Sequence, residues 1–131
     1  MKTILIVDDE FALVESLADL LQDEGYRVVS AANGQDGFAC SEKEKPDLIV
    51  TDFMMPIADG MELIRNVRSS PASRNVPVVM MTATSKQVAL SSPSKADAPK
   101  VNAFLKKPFQ VEELLDIIED LIGKGDVNGR S

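Results

Sequence analysis

The chain has 131 residues, of which 44% are apolar and 27% charged, a composition typical of one soluble globular domain. Its net charge of −7 argues against nonspecific nucleic-acid binding and against an anionic membrane surface, and it suits cations or basic partner patches. The absence of histidine excludes histidine-based catalysis and histidine metal ligands, and the single cysteine, Cys40, excludes an internal disulfide. No apolar run approaches the ~20 residues of a membrane span, so we expect a cytoplasmic protein without membrane insertion.

The first half of the chain predicts two strands and two helices. Ile4–Val7 is an apolar run typical of a strand that is covered on both faces. Leucines recurring at i, i+4, i+7 and i+8 from Leu13 predict a helix that stops at Gly25. The next strand and helix are predicted at Arg27–Ala31 and Gln35–Lys43.

The second half continues the alternation. Apolar runs at Leu48–Thr51 and Pro77–Thr82 predict the third and fourth strands, with a helix from about Met61 to Arg68 between them. The fifth strand is predicted at Ala103–Lys106. A strong helical stripe then covers Val111–Ile122.

The segment Ser85–Asn102 has little apolar periodicity and contains two prolines. One interpretation is that Ser92 and Pro93 open a very short helix that ends before Pro99. The alternative is that Lys86–Leu90 is the helix and the remainder a loop. Either way, we expect a fourth helix that is short or irregular, in the weakest-ordered part of the domain.

Short strands alternating with helices predict an α/β fold with helices on both faces of a parallel sheet. Five strands of this kind favour the doubly wound, flavodoxin-like order 2-1-3-4-5. We expect residues 1–122 to form this domain and residues 123–131 to be a flexible polar tail.

Polar residues follow the predicted strands at the points where they end. Asp8 and Asp9 follow strand one, Asp52 follows strand three, Thr82 closes strand four, and Lys106 and Lys107 close strand five. Because the carboxyl ends of parallel strands share one edge of the sheet, we expect these side chains to converge there.

Three converging carboxylates require a cation. Two unit charges ~4 Å apart repel by roughly 4 kcal/mol at an effective dielectric constant near 20. A lysine offsets part of this repulsion, and a hard divalent ion offsets more. Ligands that are all oxygen favour Mg²⁺, with Mn²⁺ as the alternative, over Zn²⁺.

The segments ILIVDDE, LIVTDFMMPIADGMEL, VVMMTA and AFLKKPF, in this order and spacing, resemble the receiver domain of two-component response regulators over residues 3–122. The resemblance implies that Asp52 is the phosphoryl acceptor. It also implies that Asp8 and Asp9 bind Mg²⁺, Asp9 directly, with Asp52 and the backbone carbonyl of Met54 as further ligands. The acceptor would react as a nucleophile and form an acyl phosphate.

The same resemblance assigns the switch. Thr82 and Lys107 would contact the phosphoryl group, and Phe104 would turn inward on activation. Strand alternation points Lys106 away from Lys107, so we interpret Lys106 as a solvated neighbour. The Lys107–Pro108 bond is expected to be cis, and Gly60 is expected to supply a permissive backbone angle under Asp52.

The resemblance implies a phospho-accepting signalling switch. A histidine kinase or histidine phosphotransfer protein would supply the phosphoryl group, and a downstream protein, unknown from the sequence, would read it. The chain would catalyse its own phosphorylation and dephosphorylation without being a turnover enzyme. One alternative is a receiver-like interaction module that is not phosphorylated. Another is a Mg²⁺ phosphatase, although such enzymes commonly carry a second acid at the position of Met54.

Overall fold

A computed structural model describes residues 1–53, 59–83 and 101–125. Five strands and four helices alternate along these three ranges. The strands are β1 (Thr3–Val7), β2 (Arg27–Ala31), β3 (Leu48–Asp52), β4 (Val78–Thr82) and β5 (Ala103–Lys106). The helices are α1 (Phe11–Asp23), α2 (Gly34–Glu44), α3 (Gly60–Ser69) and α4 (Val111–Ile122).

The strands form one parallel sheet in the order β2-β1-β3-β4-β5, which confirms the predicted α/β, doubly wound topology. The register places Val7 opposite Thr51 and Asp52 opposite Met81. The structure therefore brings the carboxyl ends of all five strands to one edge.

Apolar side chains cover both faces of the sheet. In β1, Ile4 and Ile6 point to one face, and Leu5 and Val7 point to the other. The first face packs against α1 and α4, and the second against α2 and α3. This two-sided burial explains why the strand consists of consecutive apolar residues rather than an alternating pattern.

Local polar contacts set where three of the helices begin. The Asn33 side chain accepts a hydrogen bond from the backbone N–H of Asp36 at 2.8 Å, and the Asp59 side chain caps α3 in the same way. Gln110 and Glu113 form a reciprocal capping box at the start of α4. Within the described ranges, no helix has the length and apolar character needed to cross a bilayer.

The end of α4 is attached to the amino edge of the sheet. The Tyr26 hydroxyl donates to the carbonyl of Gly123 at 2.8 Å, and the Lys2 ammonium donates to the carbonyl of Ile122. Gly123 has a φ of +84°, which suits a glycine at this turn.

The end of β3 differs by one residue from its sequence-based prediction. Asp52 is the last residue of β3 rather than the residue after it, because the ladder to β4 continues one position further, to the hydrogen bond from Phe53 N–H to the Met81 carbonyl. The expected fourth helix falls within residues 84–100, which lie outside the described residues, as do residues 126–131 of the expected tail.

Candidate functional site

Three carboxylates meet at the carboxyl edge of the sheet. Asp8 follows β1 and Asp52 ends β3, and these strands are neighbours whose register carries the two residues side by side. One ligand oxygen from each of Asp8, Asp9 and Asp52 lies within 4.8 Å of the others. Asp8 is buried, with 1% of its side chain exposed, whereas Asp9 is exposed.

Lys107 brings a positive charge into this cluster. Its ammonium nitrogen lies 3.0 Å from Asp8 Oδ2 and 3.3 Å from Asp52 Oδ1. The lysine backbone N–H donates to the Thr82 carbonyl at 2.7 Å, which fixes the turn after β5 against the end of β4. Lys106 is exposed, in agreement with its interpretation as a solvated neighbour. The Lys107–Pro108 bond is cis, as the resemblance implies.

The site shifts the pKa values of both Asp52 and Lys107 upward. Burial is the main cause for Asp52, and the charge of Asp8 adds to it, while Lys107 and the Phe53 backbone N–H act in the opposite direction. Burial alone would lower the pKa of Lys107, but its hydrogen bonds and charge interactions with Asp8 and Asp52 outweigh that effect. Lys107 therefore carries its charge at neutral pH.

The donor set fits a hard divalent cation. All three side chains offer carboxylate oxygens, which Mg²⁺ and Mn²⁺ prefer. Both oxygens of Asp8 already accept hydrogen bonds, one from the Glu10 backbone N–H at 2.9 Å and one from Lys107. Asp9, being exposed, remains open to an ion arriving from solvent. Met54, whose carbonyl was expected to be a further ligand, lies outside the described residues.

Thr82 is fully buried at the end of β4, one residue beyond the Met81 that pairs with Asp52. Its hydroxyl has no hydrogen-bond partner among the residues the structure describes. A buried hydroxyl without a partner carries a desolvation cost that a new acceptor would remove. Phe104, the expected switch aromatic, is half-buried and packs against the face of the sheet that α3 covers.

Gly60 differs from the expectation about its backbone angle. It is not among the described glycines with positive φ, so a permissive angle is not its reason for being there. A Cβ at this position would lie 2.4 Å from the Asp52 carbonyl oxygen, and the Gly60 N–H donates to the Phe53 carbonyl at 3.0 Å. Glycine is required because the start of α3 closes against the backbone of β3.

The backbone N–H groups of Glu10 and Phe53 also belong to the site, and sequence reasoning did not identify them. Asp8 receives the Glu10 N–H two residues along the chain, a local turn that aspartate favours. The sequence signal for the hydrogen bond from the Glu10 N–H to Asp8 was an aspartate placed directly after a strand.

Comparison with known proteins gives a consistent result. The family model described as the response regulator receiver domain matches residues 4–119. The phosphate regulon transcriptional regulatory protein PhoB of Pseudomonas aeruginosa is 35% identical over 130 residues, which cover 95% of this chain and 55% of that protein. The chain spans about half the length of the curated relatives it matches, from 46% to 60%.

Solved structures agree. The chemotaxis response regulator CheY4 of Vibrio cholerae superposes with a TM-score of 0.80 at 31% identity, covering 93% of this chain and 99% of that one. The receiver domain of a sensor histidine kinase from Pseudomonas aeruginosa PAO1, with a magnesium ion coordinated in its active site cleft, has a TM-score of 0.74 at 27% identity and covers 93% and 98% of the two chains. The chain thus belongs to the response regulator receiver domains of two-component systems.

Proposed function

We propose that this receiver domain is a phospho-accepting switch in which Asp52 takes a phosphoryl group from a phosphohistidine donor. The observation that carries the proposal is the position of Lys107, whose ammonium lies between Asp8 and Asp52. A cation held beside a half-buried carboxylate and next to further carboxylates is suited to receive the negative oxygens of an incoming phosphoryl group.

The chemical step is an in-line displacement at phosphorus. An Asp52 carboxylate oxygen forms the new P–O bond while the P–N bond to the donor imidazole breaks, and the imidazole takes up a proton as it leaves. Asp52 must be ionised to attack, and Lys107 supports the ionised form although burial raises the pKa of this carboxyl group. The protein mainly positions the reactants and stabilises charge.

Asp8, Asp9 and Asp52 would hold the divalent ion, with the Met54 carbonyl as the further ligand proposed from the resemblance. When bound, the ion would neutralise charge on the transferring phosphoryl oxygens. The sensor kinase receiver domain with magnesium in its active site cleft supports this choice of metal. The proposed donor is a histidine kinase or histidine phosphotransfer protein.

The switch would begin at Thr82. The phosphoryl group carries about −1.5 to −2 charge in place of the single negative charge of the Asp52 carboxylate, and it brings three acceptor oxygens beside this buried hydroxyl, which lacks a partner among the described residues. A hydrogen bond from Thr82 to one of those oxygens would satisfy the hydroxyl and draw the end of β4 toward Asp52. Phe104, on the neighbouring strand β5, would then repack inward.

The direct test is the intact mass of the protein after incubation with acetyl phosphate and Mg²⁺. Wild type should gain the mass of one phosphoryl group, and Asp52→Asn should gain none. Asp120→Asn is a matched control because it removes an exposed carboxylate on α4 and should behave as wild type. Equal phosphorylation of wild type and Asp52→Asn would exclude Asp52 as the acceptor.

The metal ligands are tested separately, by thermal unfolding across a Mg²⁺ titration. A ligand that binds only the folded state stabilises it by about 2.7 kcal/mol at 100 times its dissociation constant. Wild type should therefore show a saturating rise in unfolding temperature, and Asp9→Ala should require much more Mg²⁺. The same saturation curve for both proteins would remove Asp9 from the ligand set.

A further inference from the structure

Arg68 and Asn102 join three elements at the amino edge of the sheet, the edge opposite the carboxylates. Arg68 lies in the last turn of α3, and its guanidinium donates to the carbonyls of Arg74 at 3.0 Å and Val76 at 2.5 Å, just before β4. The guanidinium also donates to Asn102 Oδ1 at 3.2 Å, just before β5. One side chain therefore ties α3 to the starts of both β4 and β5.

Asn102 extends the pairing of β4 with β5 by one further step. Its backbone N–H donates to the Val78 carbonyl at 2.9 Å, and its side-chain Oδ1 accepts the Val78 N–H at 2.9 Å. The side-chain oxygen thus takes the place of a backbone carbonyl in the ladder. Arg68 donates to this same oxygen, so the guanidinium orients the amide that closes the pair.

The strand that begins here is the one with the least support. β5 has four residues and lies at the edge of the sheet, where β4 is its sole neighbour among the described strands. A strand that slips by one residue turns every side chain to the other face. For β5, such a slip would move Lys107 away from its present position and bring Lys106 or Pro108 there, so the contacts of the Lys107 ammonium with Asp8 and Asp52 would be lost.

We propose that Arg68 and Asn102 are positioning residues that hold β5 in register and so deliver Lys107 to the acidic site. Neither residue touches the reacting atoms. Their effect travels along β5 to its other end, where the Lys107 N–H donates to the Thr82 carbonyl. This inference rests on the proposed function for its kinetic consequence, but its structural part stands independently.

The proposal predicts a split between two properties of the site. The proposed carboxylate ligands come from the turn after β1 and from the end of β3, not from β5. Loss of the Arg68–Asn102 contact should therefore slow phosphorylation, since a small displacement of a positioned group costs up to about 100-fold in rate. It should not weaken Mg²⁺ binding, because the ligands stay in place and a displaced ammonium competes less for Asp8 and Asp52. General destabilisation of the fold would instead impair both phosphorylation and Mg²⁺ binding.

The kinetic experiment compares Arg68→Gln with Arg65→Gln, which alters an exposed arginine on the same helix. The rate constant of phosphorylation by acetyl phosphate is measured at saturating Mg²⁺, at a temperature where both variants are folded. We expect Arg68→Gln to be about 10- to 100-fold slower and Arg65→Gln to match wild type. Asn102→Ala should also be slow, and Asn102→Asp, which keeps an acceptor oxygen for Arg68, should recover most of the rate. Equal rates for Arg68→Gln and Arg65→Gln, or a parallel loss of rate and Mg²⁺ affinity, would overturn the proposal.

A second measurement is independent of phosphorylation. Amide hydrogen exchange should show weaker protection in Arg68→Gln at both Asn102 and Lys107, the residues that flank β5, and unchanged protection in Arg65→Gln. Loss of protection at Asn102 alone would show that the contact is local and would overturn the inference. If wild type fails to phosphorylate at Asp52, the proposed function fails, while the exchange data still decide whether Arg68 holds β5.

Discussion

Replacing Lys107 with methionine should destabilise the domain, whereas the same change at Lys106 should not. The two lysines are adjacent and the substitution is identical, so any difference in stability between the two variants comes from the surroundings of each lysine. Lys107 contacts two carboxylates and its side chain is 21% exposed, while Lys106 lies in solvent. Methionine keeps much of the length and apolar volume of lysine, so the change removes mainly the charge.

The distances set the magnitude. At an effective dielectric constant near 20, unit charges at 3.0 and 3.3 Å attract by about 5.5 and 5 kcal/mol, and two carboxylate charges within 4.8 Å of each other repel by at least about 3.5 kcal/mol. Desolvation offsets most of the attraction, and breaking a buried ion pair by removing one partner typically costs about 3–5 kcal/mol. Since Lys107 is partly exposed, we expect Lys107→Met to lose about 2–4 kcal/mol and Lys106→Met to stay within about 0.5 kcal/mol of wild type.

Urea unfolding without divalent ions, followed by circular dichroism because the chain has no tryptophan, measures this difference. The pKa of Lys107 is raised in the folded state, so its contribution is fully present below its ordinary value of 10.5 and is lost only as pH rises through the folded pKa. The difference should therefore be constant between about pH 7 and 9. It should shrink in acid as Asp52 becomes protonated, which happens above its ordinary pKa of 3.8 because the folded pKa is raised. Equal urea midpoints for the two variants at pH 7, or a deficit that persists undiminished in acid, would refute this account.

Three further changes test other contacts. Asp52→Asn should raise the free energy of unfolding at pH 7 without divalent ions, because the folded pKa of Asp52 lies above its ordinary 3.8 and its charge therefore opposes folding. This gain in stability should be absent below pH 3.8 and should grow as pH rises through the folded pKa, and a lower urea midpoint at pH 7 would contradict it. Gly60→Ala should cost about 1–3 kcal/mol in urea unfolding, since its Cβ would collide with the Asp52 carbonyl; an unchanged midpoint would show that the backbone yields easily. Tyr26→Phe should lower the free energy of unfolding by about 0.5–1.5 kcal/mol and speed amide exchange at Gly123, because the Tyr26 hydroxyl donates to the Gly123 carbonyl. Unaltered exchange at Gly123 would show that this hydrogen bond does not stabilise the end of α4.

The fold and the acidic cluster could be predicted from sequence because their signals are local. Each strand is a short apolar run with a boundary residue beside it, and strand order follows from general rules for parallel sheets. Once the order is known, aspartates at the carboxyl ends of β1 and β3 must be neighbours. The resemblance assigned Lys107 to the site, and the alternation of side chains along a strand then separated it from Lys106.

The remaining features join residues that are far apart in the chain. The Arg68–Asn102 contact spans 34 positions and the Tyr26–Gly123 contact 97, and no local pattern marks either partner. Gly60 shows a different difficulty. Its sequence position indicated a glycine with a role, but whether that role is a backbone angle or a lack of space depends on where the β3 carbonyl lies.

The attachment of the end of α4 at the amino edge limits how it can sense events at Asp52. A five-residue strand separates the two edges, a distance of about 17 Å at roughly 3.3 Å per residue. This is about twice the Debye length of roughly 8 Å at physiological ionic strength, so the field of an added phosphoryl group fades before it reaches Gly123 through solvent. Displacement of packed side chains between the sheet and α4 is then the main route by which a signal reaches that end. A partner that binds at this end of α4 would therefore respond to the conformation of the domain rather than to its electrostatic potential.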